Sequence, residues 1–409
     1  MKYTKLILFT LIAVVITDAF RLIASVGAMN VDNATLFATI INYISIAILF
    51  YFANKEGFGN NEIPKSIKYL FLFWLFWNLV SLVRGSFFAV DYWDWKAILL
   101  NSMAFSLIPL AFFLGKNISS AGTIFRFVLK YLFPLGFLII PLSLITSHEL
   151  YSRLMIPVGL FIVFIPFLKF RWKFLVILVA VTSIFVAIEF RTNIIKIAFS
   201  VVLLLVYYFR NFIRKNWLLL AQFCLFAVPL VLFNLAVTNQ YNIFKEILGD
   251  EGYMIDNEGQ LEQNFMADTR TGLYVDVLSS LSQSENWLLG EGAGGKYQTE
   301  RFDYLGDGRG RYGSEVGILN ILLYHGIIGV VIYFLLLFSV SFIAIKRSNN
   351  ILAKMLGLFI AFRWTYAFIE EFTQYDLNFY FFWIVMGLVS SASFREMNDD
   401  EIRNYLELR

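Results

Sequence analysis

Ser314-Glu315-Val316-Gly317, followed by Tyr324-His325-Gly326-Ile327-Ile328-Gly329, marks the point where a long polar insert, Thr238 to Gly313, gives way to apolar sequence again. On either side of it the chain is a train of apolar segments. A polytopic membrane protein with one large loop on one side usually does its chemistry there, because loops on a rigid scaffold carry function. The helices are then left to hold a greasy substrate.

Composition agrees. Hydrophobic residues make up 59% of the chain and charged residues 15%, with a mean hydropathy of +0.69, whereas soluble domains are roughly a quarter charged. The 45 Phe, 21 Tyr and 9 Trp suit a bilayer and its interfaces, where amphipathic rings collect. Cys224 is the single cysteine and lies in an apolar segment, so the insert has no disulfide.

Apolar stretches read as spans at Leu6–Val26, Ala34–Ala53, Ile67–Val83, Ala97–Gly115, Phe125–Ile145, Leu154–Leu168, Phe174–Ile188, Ile194–Phe209, Trp217–Val237, Gly326–Ile345, Ile351–Ile369 and Leu377–Ala392. Each is close to the ~17–25 residues that cross the hydrocarbon as a helix. The expected fold is therefore an all-α polytopic membrane protein of about twelve transmembrane helices with one large periplasmic loop. Residues 1–237 would hold spans 1 to 9, 238–313 the loop, 314–393 spans 10 to 12, and 394–409 a cytoplasmic tail. The first span follows Lys2 and Lys5 as a signal peptide would. Its length, Asp18 and Arg21 and the lack of a small-x-small site make it a retained helix.

Charge sets the orientation. Lys55, Lys65 and Lys68 follow span 2; Lys116, Arg126 and Lys130 follow span 4; Lys169, Arg171 and Lys173 follow span 6. Arg210, Arg214 and Lys215 follow span 8, Lys346, Arg347 and Lys354 follow span 10, and Arg395, Arg403 and Arg409 lie in the tail. Every even-numbered connection is basic, the positive-inside pattern. The net charge of +3 is thus a topology signal rather than a nucleic-acid footprint. Both termini are expected in the cytoplasm of a bacterial inner membrane, with the insert in the periplasm.

Few arginines are expected outside. Arg84 ends span 3, Arg153 begins span 6, Arg191 sits between spans 7 and 8, and Arg270, Arg301, Arg309 and Arg311 lie in the insert. A boundary arginine also snorkels to headgroups, which suffices for Arg84 and Arg153 taken alone. Arg363, inside span 11, calls for a partner or a wet cavity, and Glu370 or Glu371 is near enough in sequence. Asp18 and Arg21 are spaced as a structural pair on one helix face.

Within the insert, Asp268 can cap a helix from about Arg270 to Leu289 whose buried stripe is Leu273, Val277, Leu278 and Leu281. Gly290-Glu291-Gly292-Ala293-Gly294-Gly295 matches G-x-G-x-x-G. It follows a helix and lacks a βαβ setting, so it reads as a helix stop and a close backbone turn instead of a dinucleotide site. Gly306 to Gly313, carrying Arg309 and Arg311, reads equally as a lid over a phosphate or a solvated loop. With only His148 and His325 there is no histidine-rich metal site. The sequence has no G-x-S-x-G, P-loop or D-x-D, so no metal or other cofactor is expected.

The run Asp268-Thr269-Arg270, Trp287-Leu288-Leu289-Gly290-Glu291-Gly292, Ser314-Glu315-Val316-Gly317 and Gly326-Ile327-Ile328-Gly329 resembles the O-antigen polymerase and ligase superfamily (Wzy-like). That family carries a long periplasmic loop with an arginine, a G-x-G turn, and a His-Asn followed by G-x-x-G. Here Glu315-Val316 stands in place of His-Asn, a departure that weighs more against a ligase than a polymerase. Arg191 resembles the family's other outward arginine.

The resemblance implies a metal-independent glycosyltransferase that polymerises undecaprenyl-pyrophosphate-linked repeat units of O-antigen, capsule or exopolysaccharide, with a chain-length regulator as a potential partner. An O-antigen ligase acting on lipid A-core is the alternative, and a polysaccharide transporter or flippase is the non-enzymatic one. Arg191 and Arg270 would stabilise the departing pyrophosphate, helped by Arg309 or Arg311, because guanidinium forks pair bidentately with phosphate. Glu315 would take the acceptor proton; its bland reading is a first-turn acid behind a Ser314 cap. His325 is the rival base. Arg84, Arg153 and Arg363 are further candidates for substrate contact. Trp93 and Trp95, with Tyr92, would form a sugar platform or an interfacial belt.

Overall fold

The computed structural model describes residues 3–25, 31–58, 62–145, 148–186, 191–237, 253–255, 261–263, 271–299, 310–369, 371 and 373–406. Helices dominate, because hydrocarbon offers the backbone no partner and each segment must satisfy its own N–H and C=O groups. In chain order they are α1 (Thr4–Ser25), α2 (Val31–Glu56), α3 (Lys65–Phe88), α4 (Tyr92–Lys116), α5 (Ile118–Ser143), α6 (His148–Leu154), α7 (Val158–Phe167) and α8 (Phe170–Val186). There follow α9 (Arg191–Tyr208), α10 (Lys215–Val237), α11 (Thr271–Ser284), α12 (Gly317–Lys346), α13 (Ile351–Ala367), α14 (Leu377–Ser390), α15 (Ala392–Glu396) and α16 (Asp399–Leu406). Four short strands, β1 (Tyr253–Ile255), β2 (Leu261–Gln263), β3 (Lys296–Tyr297) and β4 (Arg311–Tyr312), form two antiparallel pairs.

Among the described residues seven helices, α1 to α5, α10 and α12, are long and apolar enough to cross a membrane. Their outer faces carry large exposed apolar side chains such as Phe50, Phe76, Leu138 and Phe223. Water would penalise that surface; lipid does not. The chain is a helical membrane protein.

Seven of the twelve expected spans fall on these helices, while the other five fall on α7, α8, α9, α13 and α14, which are not among them; two spans also take a different form. Leu154–Leu168 is not one helix: residues 155–157 form a turn, and helix resumes only at Val158. Pro157 has no N–H to continue the preceding ladder. The resulting α7, 10 residues long, rises only about 15 Å, half of the roughly 30 Å hydrocarbon layer. The segment expected to open at Gly326 instead begins at Gly317 and bends at Gly326, where φ is 63° and ψ is −170°. The amphipathic helix expected to reach Leu289 ends at Ser284. Glu285 stops it by taking a left-handed φ of 59°, before the glycines are reached. Its stripe is as expected, with Leu273, Val277 and Leu281 buried and Leu278 packed against the core.

Helix α14 sits deepest, its side chains buried along nearly its whole length against α4, α12 and α13. Its start is tethered by α1. Asp18 Oδ2 accepts from Leu377 N–H at 3.0 Å, and Arg21 Nη1 donates to the Tyr375 carbonyl at 3.4 Å. The two residues expected to pair with each other thus anchor the α13–α14 connection.

In that connection the buried Arg363 guanidinium pairs with Glu371 and also donates to Asn378 Oδ1. Burial raises the Glu371 carboxyl above the usual carboxylate range, and Arg363 opposes the rise. Removing one partner leaves a buried charge uncompensated, at a cost of about 3–5 kcal/mol. We expect Arg363→Met to lower the unfolding midpoint in detergent sharply and Arg363→Met/Glu371→Leu to recover most of the loss. Equal midpoints for the single and double variants would show that the pair carries no such burden.

Candidate functional site

The site is built where the insert returns to the helices. After α11, residues 286–295 form a turn wedged between α3 and the bend in α12. Ala293 N–H donates to the Ser81 carbonyl at 2.9 Å, Glu291 N–H to Leu323 at 2.6 Å, and Ile327 N–H to Trp287 at 2.8 Å. From α3, Ser81 Oγ reaches the Tyr324 carbonyl at 2.8 Å and Trp77 Nε1 the His325 carbonyl at 2.9 Å. The bend frees these carbonyls from the helical ladder, and α3 and the turn satisfy groups that would otherwise be orphaned. Contact is backbone to backbone: a Cβ on Gly85 would lie 2.0 Å from the Ala293 carbonyl oxygen. The glycine-rich sequence is therefore a clamp on the helices.

Beyond the clamp, β3 pairs with β4 in the register Lys296↔Tyr312 and Tyr297↔Arg311. Alternation puts Lys296 and Tyr312 on one face and Tyr297 and Arg311 on the other. The first face is pinned by Asp94, whose Oδ1 takes the Lys296 ammonium at 2.6 Å and the Tyr312 hydroxyl at 2.7 Å. Asp94 is itself fixed in a capping box with Asp91 at the start of α4. On the other face Arg311 lies against Tyr297, whose phenol burial pushes up to about 12 despite that guanidinium.

Arg311 Nη2 then meets Glu315 Oε1 at 3.3 Å, both side chains being about one-third exposed. The backbone around Glu315 is gripped on two sides. Asn320, buried one helical turn on, takes Ser314 N–H at 2.5 Å on Oδ1 and donates Nδ2 to the Ser314 carbonyl at 2.8 Å. Glu371 N–H donates to the Glu315 carbonyl at 2.8 Å. Ser314 makes no side-chain cap on α12, whose N-cap position is Val316; its Oγ accepts from Val316 N–H at 3.1 Å.

Beside this corner lies a polar cavity of about 180 Å³ lined by Asn101, Ser102, Arg311, Asn320, Thr373 and Gln374 among others. Asn101 and Ser102 come from a π-helical turn, Ile98–Ser102, inside α4. Such a turn inserts an extra residue into the helix and is frequent at functional sites, although a second one, Val128–Leu132 in α5, does not line this cavity.

The candidate residues divide as follows. Glu315 and Arg311 share this corner. Arg84 donates Nη1 to the Leu289 carbonyl at 2.6 Å and braces the clamp. His325 is 2% exposed and packs on Trp74, ring centroids 5.4 Å apart. Trp93 and Trp95 are exposed, with the Lys96 ammonium 4.6 Å over the Trp93 ring, and neither lines the cavity. Arg153 and Arg363 lie across the α13–α14 connection, where both act electrostatically on Asp376 together with Lys196. Arg191 opens α9, and its side chain is outside the described residues. Arg270, Arg309, Arg301, Asp268 and Glu370 are outside them as well.

Asp94, Lys296 and Asn320 escaped the sequence reading. For Asp94 the sequence carries a signal, the Asp91-x-x-Asp94 spacing of a capping box before an apolar run. Asn320 has no local signature, since its partner Ser314 precedes the helix. Among the described residues no group of three or more histidine, cysteine or acidic side chains is arranged to hold a metal ion. No family model, curated protein or solved structure matches the chain.

Proposed function

We propose that the protein is a glycan polymerase that joins polyprenyl-pyrophosphate-linked repeat units at the periplasmic face of a bacterial inner membrane. The observation that carries this reading is the corner where Glu315 pairs with Arg311, which in turn lines a polar cavity beside an insert clamped to the helices. In the reaction a hydroxyl of the acceptor glycan attacks the anomeric carbon of the donor. The new C–O bond forms as the bond to the pyrophosphate oxygen breaks, and that oxygen leaves with the electron pair. Glu315 takes the hydroxyl proton. The arginine at its side makes it a weaker base, so positioning supplies much of the rate. Arg311, engaged by Glu315 and Tyr297, serves orientation; Arg191 and Arg270 are left to bind the leaving pyrophosphate. Deleting the gene tests the reading. Lipid-linked glycans of a single repeat support it, while full-length chains stranded on the carrier would make the protein a ligase.

The same reading uses about twelve membrane crossings, places both termini inside and puts the insert outside. Single cysteines at Gln283 and Asn211, both exposed, in a Cys224→Ser background should split accordingly. Position 283 reacts with an impermeant maleimide in intact spheroplasts, and position 211 reacts only after permeabilisation. Labelling of 211 from outside would overturn the orientation.

A further inference from the structure

We infer that the cavity beside Glu315 seats one uncharged sugar ring, the acceptor end of the glycan; the word acceptor rests on the polymerase reading, the sugar does not. The cavity has room for a ligand much larger than water: about 180 Å³ is more than ten times the ~10–15 Å³ that one water needs. Its chemistry suits hydroxyls. Asn101 from α4, Asn320 from α12 and Gln374 from the α13–α14 connection bring three carboxamides to the lining, with the hydroxyls of Ser102 and Thr373 between them. A carboxamide has two donor hydrogens and an oxygen with two lone pairs, so Asn320 keeps one of each beyond its bonds to Ser314 and Gln374 keeps one donor beyond Asp376, and each sugar hydroxyl both donates and accepts.

Charge narrows the class. Arg311 is the one charged side chain among the described lining residues, and its guanidinium is shared with Glu315. The wall is therefore close to neutral. A hexuronate or a phosphate would have to share Arg311 with Glu315, whose carboxylate opposes a second negative charge there. The π-turn carries Asn101 and Ser102 to the cavity, and Glu315 follows the lining residue Ser314 and pairs with the lining residue Arg311, next to where an acceptor hydroxyl would need a base.

The test is saturation-transfer NMR on the full-length protein in nanodiscs, with methyl hexopyranosides, methyl N-acetylhexosaminides and methyl hexuronides as probes. Transfer to a neutral glycoside is expected, falling at least fivefold in Asn101→Leu and Gln374→Leu. The smaller changes Asn101→Ser and Gln374→Ser give a partial loss and guard against misfolding of the leucine variants. Transfer confined to hexuronides, transfer to no probe, or a neutral signal unchanged in all four variants overturns the inference. A neutral signal lost in the variants while deletion of the gene leaves lipid-linked glycans longer than one repeat keeps the sugar site and sinks the polymerase reading. The converse pattern keeps the polymerase and sinks the site.

Discussion

Glu315→Gln should leave the protein at its normal level in the membrane and stop lipid-linked glycans at a single repeat. The side chain is about one-third exposed and its described partner is Arg311, so an isosteric amide disturbs little packing. What is lost is the proton acceptor, a role typically worth 10²–10⁴-fold in rate. Gel ladders at matched protein level read the effect. His325→Ala is the contrasting variant. That ring is buried against Trp74, so truncating it should lower the amount of folded protein by way of a cavity, with a normal ladder from what remains. A normal ladder for Glu315→Gln together with single repeats for His325→Ala would mean that the histidine is the base.

Gly326→Ala should have the largest effect on folding. With φ 63° and ψ −170° the residue sits in a region essentially reserved for glycine, and a side chain there costs about 1–3 kcal/mol. Its Cβ would also lie 2.3 Å from the Leu288 carbonyl oxygen, so the clamp must open as well. The two together should exceed ~4 kcal/mol, a size reserved for a few named mechanisms. Gly57→Ala is the control, because φ there is also positive at 48° but nothing lies within 4 Å of the added carbon. A much lower detergent midpoint for position 326 than for 57, with new protease cleavage within 286–295, is the expected result. Equal midpoints would argue that the turn is not held against α12 as described.

How far the chain could be read before folding depended on whether each signal was local. Hydropathy and length are local, because a helix in lipid must bury its own polar backbone within one segment. They therefore marked the positions of α1 to α5 and α10, with ends off by up to seven residues at Ile118 in α5. The apolar stripe of α11 was legible for the same reason, since helical spacing alone puts Leu273, Val277 and Leu281 on one face. The failures came where geometry is set by a neighbour. Leu154–Leu168 is apolar throughout yet turns at 155–157, and hydropathy has no means of weighing a single proline.

The polar insert and the glycine run could thus be picked out by residue type alone, because polarity and backbone freedom are intrinsic to the residues, whereas Glu315 stood out only by its place in a motif resembling a known family. Their roles could not. That the glycines clamp α3 to the bend in α12, that Arg84 braces them, and that Arg363 is consumed by Glu371 depend on partners far along the chain or on side-chain direction. So does the fixing of Glu315 by Asn320 and by the Glu371 amide. Hydrogen bonds and ion pairs act over about 3 Å, and only tertiary packing brings such groups that close.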